Sequence, residues 1–189
     1  MIKNIMIVGV GGQGTILASK IIGTLLINKG YDVKVSEIHG MSQRGGSVVT
    51  YVRYGDKVYS PLIDKGEADY ILSFELLEAA RYCEYLKEGG KIITNTQEIM
   101  PMPVVNGEKE YPKDIVNKIK NKGIDIEVID AEKEALGLGN IKVVNSVLLG
   151  KFSKCLDFSV DEWKDAMKNE IAEKLIDINI KAFDIGREK

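Results

Sequence analysis

Residues 5–15 read Ile5-Met6-Ile7-Val8-Gly9-Val10-Gly11-Gly12-Gln13-Gly14-Thr15, an apolar run that ends in a cluster of glycines. The run has the composition of a buried strand. Beyond it, Ile16, Leu17, Ala18, Ile21, Ile22, Leu25 and Leu26 recur at three- and four-residue spacing, which predicts a helix over 15–29 with one apolar face. Gly30 stands where a helix C-cap is expected, and Tyr31 to Ile38 reads as a second strand, so the opening forty residues form a β-α-β unit. Between strand and helix the glycines satisfy G-x-G-x-x-G. A helix start there offers unpaired N–H groups and a positive dipole end, and the missing side chains let an anion or a flat group approach the backbone. Gly9, Gly11, Gly12, Gln13, Gly14 and Thr15 are therefore candidate cofactor-binding residues, although the same glycines would also serve tight strand–helix packing alone. A phosphate-binding loop of the nucleoside triphosphatase kind is excluded, because Thr15-Ile16 stands where lysine and a hydroxyl residue are required.

Further along, Ser47 to Tyr54 predicts a strand, with Gly55-Asp56 turning into a partner strand over Lys57 to Ser60: a hairpin added to the sheet. Asp69 to Phe74 predicts a strand, Glu75 to Lys87 a helix closed by Gly89-Gly90, and Lys91 to Asn95 another strand. Pro101 to Pro112 holds three of the four prolines and reads as a turn or short hairpin. A helix over 112–122 with proline in its first turn leads to the strand Asp125 to Ile129. The last third is helical: 131–136, 142–156 and a long segment from Val160 to about Ile185. Ser159 and Glu162 have capping-box spacing at the start of that segment, and Trp163, Met167, Ile171, Leu175, Ile178 and Ala182 form its apolar stripe. The expectation is an α/β fold: a Rossmann-like, mostly parallel sheet with helices on both faces, an added β-hairpin and a helical C-terminal segment, all in one domain over 1–189.

Composition narrows the function. The chain has 189 residues, 26 basic against 28 acidic side chains, and 44% hydrophobic residues, which fits one soluble cytoplasmic domain and offers no strong basic field for nucleic acid. No stretch approaches the roughly 20 apolar residues of a membrane span, and no signal peptide or membrane anchor is read. Two cysteines, Cys83 and Cys155, stand far apart and one histidine, His39, is present, so this chain alone holds neither a zinc site nor an iron–sulfur cluster.

The stretch after the second predicted strand, Ser36-Glu37-Ile38-His39-Gly40-Met41-Ser42-Gln43-Arg44-Gly45-Gly46-Ser47, gathers an acid, the lone histidine, an arginine, hydroxyls and glycines at the carboxyl end of a strand, where open α/β sheets collect ligands. Arg44 is suited to a phosphate or carboxylate through its planar fork. Ser42, Gln43, Arg44 and Gly45 join the glycine turn as candidate cofactor contacts. Glu37 is a candidate for a ribose, and Glu37 and His39 are candidates for proton handling; a structural hydrogen-bonding role for His39 stays open.

These two loops, with Val58-Tyr59-Ser60-Pro61-Leu62-Ile63 and Phe74-Glu75-Leu76-Leu77-Glu78-Ala79 before Arg81, resemble the gamma-type subunits of the 2-oxoacid:ferredoxin oxidoreductases, and most closely the small subunit type of the indolepyruvate enzymes. The His-Gly-Met-Ser-Gln-Arg-Gly-Gly version of the second loop makes an aryl pyruvate the expected substrate. The resemblance implies a subunit of an enzyme that oxidatively decarboxylates a 2-oxoacid to an acyl-coenzyme A. Thiamine diphosphate and iron–sulfur clusters then belong to a large (alpha) partner subunit, coenzyme A is a co-substrate, and ferredoxin is met only indirectly. It implies an isolated chain without activity, and leaves homodimer formation by that chain open. The alternative from a different class is a free-standing NAD- or FAD-binding dehydrogenase or redox-sensing module.

Overall fold

The computed structural model describes residues 2–40 and 45–189. Six strands form one sheet: β1 (Lys3–Val10), β2 (Asp32–His39), β3 (Ser47–Gly55), β4 (Ala68–Ser73), β5 (Leu86–Asn95) and β6 (Asp125–Ile129), in the order β2-β3-β1-β4-β5-β6. The β1/β4, β4/β5 and β5/β6 pairs are parallel, while β3 runs antiparallel to both β1 and β2. The expected mixed α/β architecture is therefore present, with one change in wiring. β1 and β2 run in the same direction with the helix α1 (Thr15–Asn28) between them, but β3 lies in the gap, so the opening unit is split rather than adjacent.

Alternate residues of β1 serve two cores. Ile5 and Ile7 face a layer made with α1, α6 (Val144–Phe152), α7 (Val160–Glu170) and α8 (Glu173–Glu188). Met6 and Val8 face the opposite layer with α2 (Leu76–Tyr82) and α4 (Ile115–Lys120). A strand buried on both faces reads as a continuous apolar run, which is how it stands in the sequence.

The expected hairpin through Gly55-Asp56 does not form. Strand β3 pairs with β2 instead, and residues 56–67 run irregularly. Side chains supply the bonds that a strand ladder would have made: Asp32 Oδ2 accepts from Val58 N at 2.9 Å, and Arg53 Nη1 donates to the carbonyls of Ser60 at 3.1 Å and Leu62 at 2.6 Å. Gly89-Gly90, expected to close a helix, lies within β5, and the helix before it ends at Tyr82 with a single 3-10 turn over Cys83–Tyr85. The proline-rich stretch contains one turn of helix, α3 (Met102–Val105), and α5 (Ala131–Gly137) follows β6.

The C-terminal helix is two helices. Ile171 is extended (φ −110°, ψ 134°), so α7 ends at Glu170 and α8 starts afresh at Glu173. The break shifts the helical phase: Trp163, Met167, Ile171 and Ala182 of the expected stripe are buried, Ile178 is half-buried, and Leu175 is 43% exposed. The capping box at Ser159 and Glu162 is present in both directions. Thr24 Oγ1 donates to Glu170 Oε1 at 2.5 Å and Lys29 pairs with Glu162, fastening α7 to α1.

Helices α6 and α8 meet backbone to backbone. A Cβ on Gly150 would stand 2.0 Å from the Phe183 carbonyl oxygen, and one on Gly186 would stand 1.9 Å from that of Val147. Main chain on both sides leaves no side chain to give way. Gly150→Ala and Gly186→Ala are each expected to cost about 3 kcal/mol or more, the upper part of the range for overpacked interiors, read as a lowered midpoint in urea denaturation. A melt unchanged from wild type would show that the two helices are free to separate.

Candidate functional site

The glycine turn leaves β1 at the carboxyl end of the parallel strands and enters α1. Gly14 caps the helix with a left-handed backbone (φ 88°, ψ 22°) and has no side chain to cap it with, and no acidic residue stands in the first turn. Among the described residues no side chain caps the first N–H groups of α1, and its positive dipole end borders a cleft. The second loop comes back against this turn: Gly11 N donates to Gly46 O at 2.9 Å and Gly45 N to Gly11 O at 3.4 Å. The expected convergence of the two loops is thus made through backbone hydrogen bonds. Ser42, Gln43 and Arg44 lie outside the described residues.

A cleft of about 350 Å³ opens beside the turn, with Gly11, Gly12, Gly14 and Thr15 on one wall and Glu37, His39 and Val48 on the other. Although β3 separates β1 from β2, Glu37 and His39 still reach the glycine turn's cleft. They alternate onto the same face of β2, and both are exposed. His39 Nδ1 lies 2.9 Å from Gly40 O, a contact that a protonated Nδ1 satisfies and that leaves Nε2 as an acceptor on the neutral ring. Ile16, 51% exposed, adds an apolar shoulder to the same cleft. The arrangement suits a ligand with an anionic group at the helix start and hydroxyl or amine donors toward Glu37.

Gly9 and Gln13, expected as ligand contacts, are engaged within the fold, and Gln13 also lines a cleft at the turn. Gln13 folds back over Gly9: its Oε1 accepts from Val10 N at 2.7 Å, and its Nε2 donates to Phe74 O at 3.1 Å and Gln97 Oε1 at 2.6 Å. Both amide protons are thereby used within the fold. A Cβ on Gly9 would approach Gln13 Oε1 to 2.8 Å, so Gly9 makes room for this tie between the ends of β1, β4 and β5.

Residues 4–189 match the family described as pyruvate ferredoxin/flavodoxin oxidoreductase. The chain belongs to that family. It is 44% identical, over 97% of its length and 93% of the relative's, to the indolepyruvate oxidoreductase subunit IorB of Thermococcus kodakarensis, and 38% identical, over 97% and 95%, to the IorB subunit of Methanothermobacter thermautotrophicus. Its fold superimposes on the gamma subunit of a keto/oxoacid ferredoxin oxidoreductase from Geobacter sulfurreducens with a TM-score of 0.72, 24% identity and coverage of 98% of this chain and 96% of that one. It also matches part of the 2-oxoglutarate:ferredoxin oxidoreductase of Magnetococcus marinus with a TM-score of 0.76 and 20% identity, covering 99% of this chain and 30% of the larger one. The gamma-type resemblance drawn from the loops is correct, and the chain is a subunit of an oxidoreductase complex.

In this oxidoreductase subunit, the residues that sequence reasoning missed are the ones holding the loops in place. Glu75, 1% exposed, accepts from Glu78 N at 2.9 Å as the cap of α2, from Ile99 N at 2.9 Å and from the Tyr111 hydroxyl at 2.7 Å. Glu78, 4% exposed, accepts from Ser47 Oγ and pairs with Arg81 Nε at 3.2 Å, which pins the start of β3 to α2. The signal for the pair was acidic residues in an otherwise apolar helix start, Phe74-Glu75-Leu76-Leu77-Glu78. Cys83 packs with the core on the α2 side and Cys155 with the opposite core, so the two thiols cannot share a cluster. Burial pushes the Cys155 thiol up to about 11, away from the thiolate that a metal needs. No group of three or more His, Cys, Asp or Glu side chains fit to hold a metal occurs among the described residues.

Burial also holds the Glu78 carboxyl above the ordinary glutamate range, against the opposing pull of Ser47 and Arg81. With the folded-state value raised, the native state binds this proton more tightly than the unfolded chain does. The stabilising contribution is complete below the unfolded-state value and disappears as pH rises through the raised one. Urea midpoints measured from about pH 4 to about pH 8 are expected to fall for wild type relative to Glu78→Gln, whose amide oxygen still accepts from Ser47. Parallel curves for the two proteins would remove Glu78 as the source.

Proposed function

We propose that the chain is the small subunit of an indolepyruvate-type ferredoxin oxidoreductase, which oxidatively decarboxylates an aryl pyruvate to an acyl-coenzyme A and passes the electrons to ferredoxin in the cytoplasm. The observation that carries this reading is the backbone-bonded convergence of the glycine turn and the Gly45-Gly46 loop into one concave face, in a chain similar over nearly its whole length to indolepyruvate oxidoreductase subunits. No helix among the described residues is long and apolar enough to cross a membrane.

Among the described residues, no set of His, Cys, Asp or Glu side chains fits an iron–sulfur cluster or the divalent ion that accompanies a diphosphate cofactor. Thiamine diphosphate, supplying carbanion stabilisation, and the clusters belong in this reading to the large partner subunit. The chain's own contribution is to bind and to cover. Free N–H groups at the start of α1 hold a phosphate or carboxylate of coenzyme A or substrate, and Glu37 accepts from a hydroxyl or amine of the same ligand. Arg44 contributes a fixed charge and Ser42 and Gln43 neutral hydrogen bonds. Ile16 supplies apolar surface that the partner covers, keeping water from the reacting groups. An isolated chain lacks the reacting centre and is inactive.

Purification from the native source tests the class, with a large thiamine- and iron-containing partner expected to accompany the chain. In the reconstituted complex, Arg44→Ala is expected to lower turnover by about tenfold or more, the loss of one charge-assisted contact, with little change in the melting of the small subunit. Turnover equal to wild type would remove Arg44 from the site. A nicotinamide oxidised by the purified chain alone would overturn the subunit reading in favour of a free-standing dehydrogenase.

A further inference from the structure

The glycine turn has a second side. Opposite the cleft that holds Glu37 and His39 lies another of about 340 Å³, walled by Gly12, Gly14, Gln97, Glu132, Lys142 and Asn145, a size typical of small-molecule sites. None of the last four residues belongs to the loops on which the functional reading rests.

Asn145 is the unusual member. It is 8% exposed, and its Oδ1 accepts from Ser146 N at 2.9 Å. Its Nδ2 has no acceptor among the described residues and sits on the cleft wall, where a Cβ on Gly14 would come within 3.1 Å of it. On the wall of the open cleft, that amide donor is available to a ligand lying there. Across the same space Glu132 is half-buried and held in place: Gln13 Nε2 donates to Gln97 Oε1 at 2.6 Å, and Gln97 Nε2 donates to Glu132 Oε1 at 2.7 Å. Glu132 forms no ion pair among the described residues, and neither does Lys142, so the cleft carries a carboxylate and an ammonium that do not neutralise each other. Ile141, 45% exposed, and Val144 make the remaining wall apolar.

We propose that this cleft binds a free α-amino acid with an apolar side chain. The α-carboxylate accepts from Asn145 Nδ2 and the glycine turn and faces Lys142. The α-ammonium donates to Glu132, and the side chain lies along Ile141 and Val144. Balanced charge decides this chemistry over a nucleotide, whose phosphates would confront the Glu132 carboxylate with one lysine to offset it. Binding stands on these residues alone. Its regulatory sense rests on the 2-oxoacid reading above: an α-amino acid is the aminated form of a 2-oxoacid, and Gly12 and Gly14 wall both clefts, so occupancy of one side fixes the turn that serves the other.

Calorimetric titration of the full chain, and of the assembled complex, with L-tryptophan and L-leucine tests the proposal. At least one is expected to bind with a dissociation constant of about 1 mM or tighter. For whichever binds, the matching amine without the carboxylate and the matching acid without the amino group are each expected to bind at least about tenfold more weakly. Lys142→Gln, at an exposed position, and Glu132→Gln are each expected to weaken the amino acid about tenfold with an unchanged thermal midpoint, and Asn145→Ala to do the same if it folds. The proposal is overturned by no binding of either amino acid up to about 10 mM, by ADP or coenzyme A competing in this cleft more tightly than the amino acid, or by affinity unchanged in Lys142→Gln.

Discussion

Strand β1 has a hydrogen-bonded neighbour along each edge and an apolar layer on each face, and that enclosure constrains everything around it. Residues 5–10 are enclosed and therefore apolar, polar residues enter the strand only at its amino end with Lys3 and Asn4, and the strand meets solvent only at its ends. At the carboxyl end it does so through glycines, and the polar groups there have three fates. Val10 N is taken by Gln13, Gly11 is bonded to the Gly45-Gly46 loop in both directions, and the first N–H groups of α1 are left facing a cleft. The exposed donors of the site are thus a consequence of how the central strand is finished.

Around that end, buried and half-buried polar side chains act as braces. Gln13 joins β1 to the ends of β4 and β5, Gln97 extends the tie to Glu132 at the start of α5, and Glu75 joins α2 to the segment after β5 and to Tyr111. Glu78 joins α2 to β3 through Ser47. Each brace spans elements distant in sequence and exchanges solvent for internal bonds, which is how a site made from loops acquires a fixed shape without a metal or disulfide. The opposite, amino end of the sheet is held by charge: Asp69 accepts from Asn4 N at 2.8 Å and pairs with Lys3 and Lys87.

Much of the layout could be read in advance because it rests on local patterns. The β1–glycine–α1 passage, β6 and the capping box at Ser159 are each stated by periodicity or by a cap within a few residues. The errors came where long-range partners decided. Lys57 to Ser60 has strand-like residues, but Asp32 and Arg53 capture its backbone before a ladder can. Gly89-Gly90 looks like a helix stop and lies in a strand, because Gly90 is packed beneath Leu86 and against the Asp69 carbonyl. The break at Ile171 has no proline or glycine to announce it.

By itself the sequence determined the class of fold, the glycine turn at the end of a buried strand, the second segment with Glu37 and His39, which the structure places in β2, and the family to which the chain belongs, since all of these lie in short contiguous stretches whose chemistry is local. Only the tertiary structure decided that β3 enters between β1 and β2, that Gln13 braces the turn from within, that Gly150 and Gly186 let two helices touch main chain to main chain, and that Asn145, Glu132 and Lys142 face one cleft. Those outcomes depend on which distant surfaces meet. A sequence specifies such meetings through the summed burial of many side chains, and no single stretch of residues carries that sum.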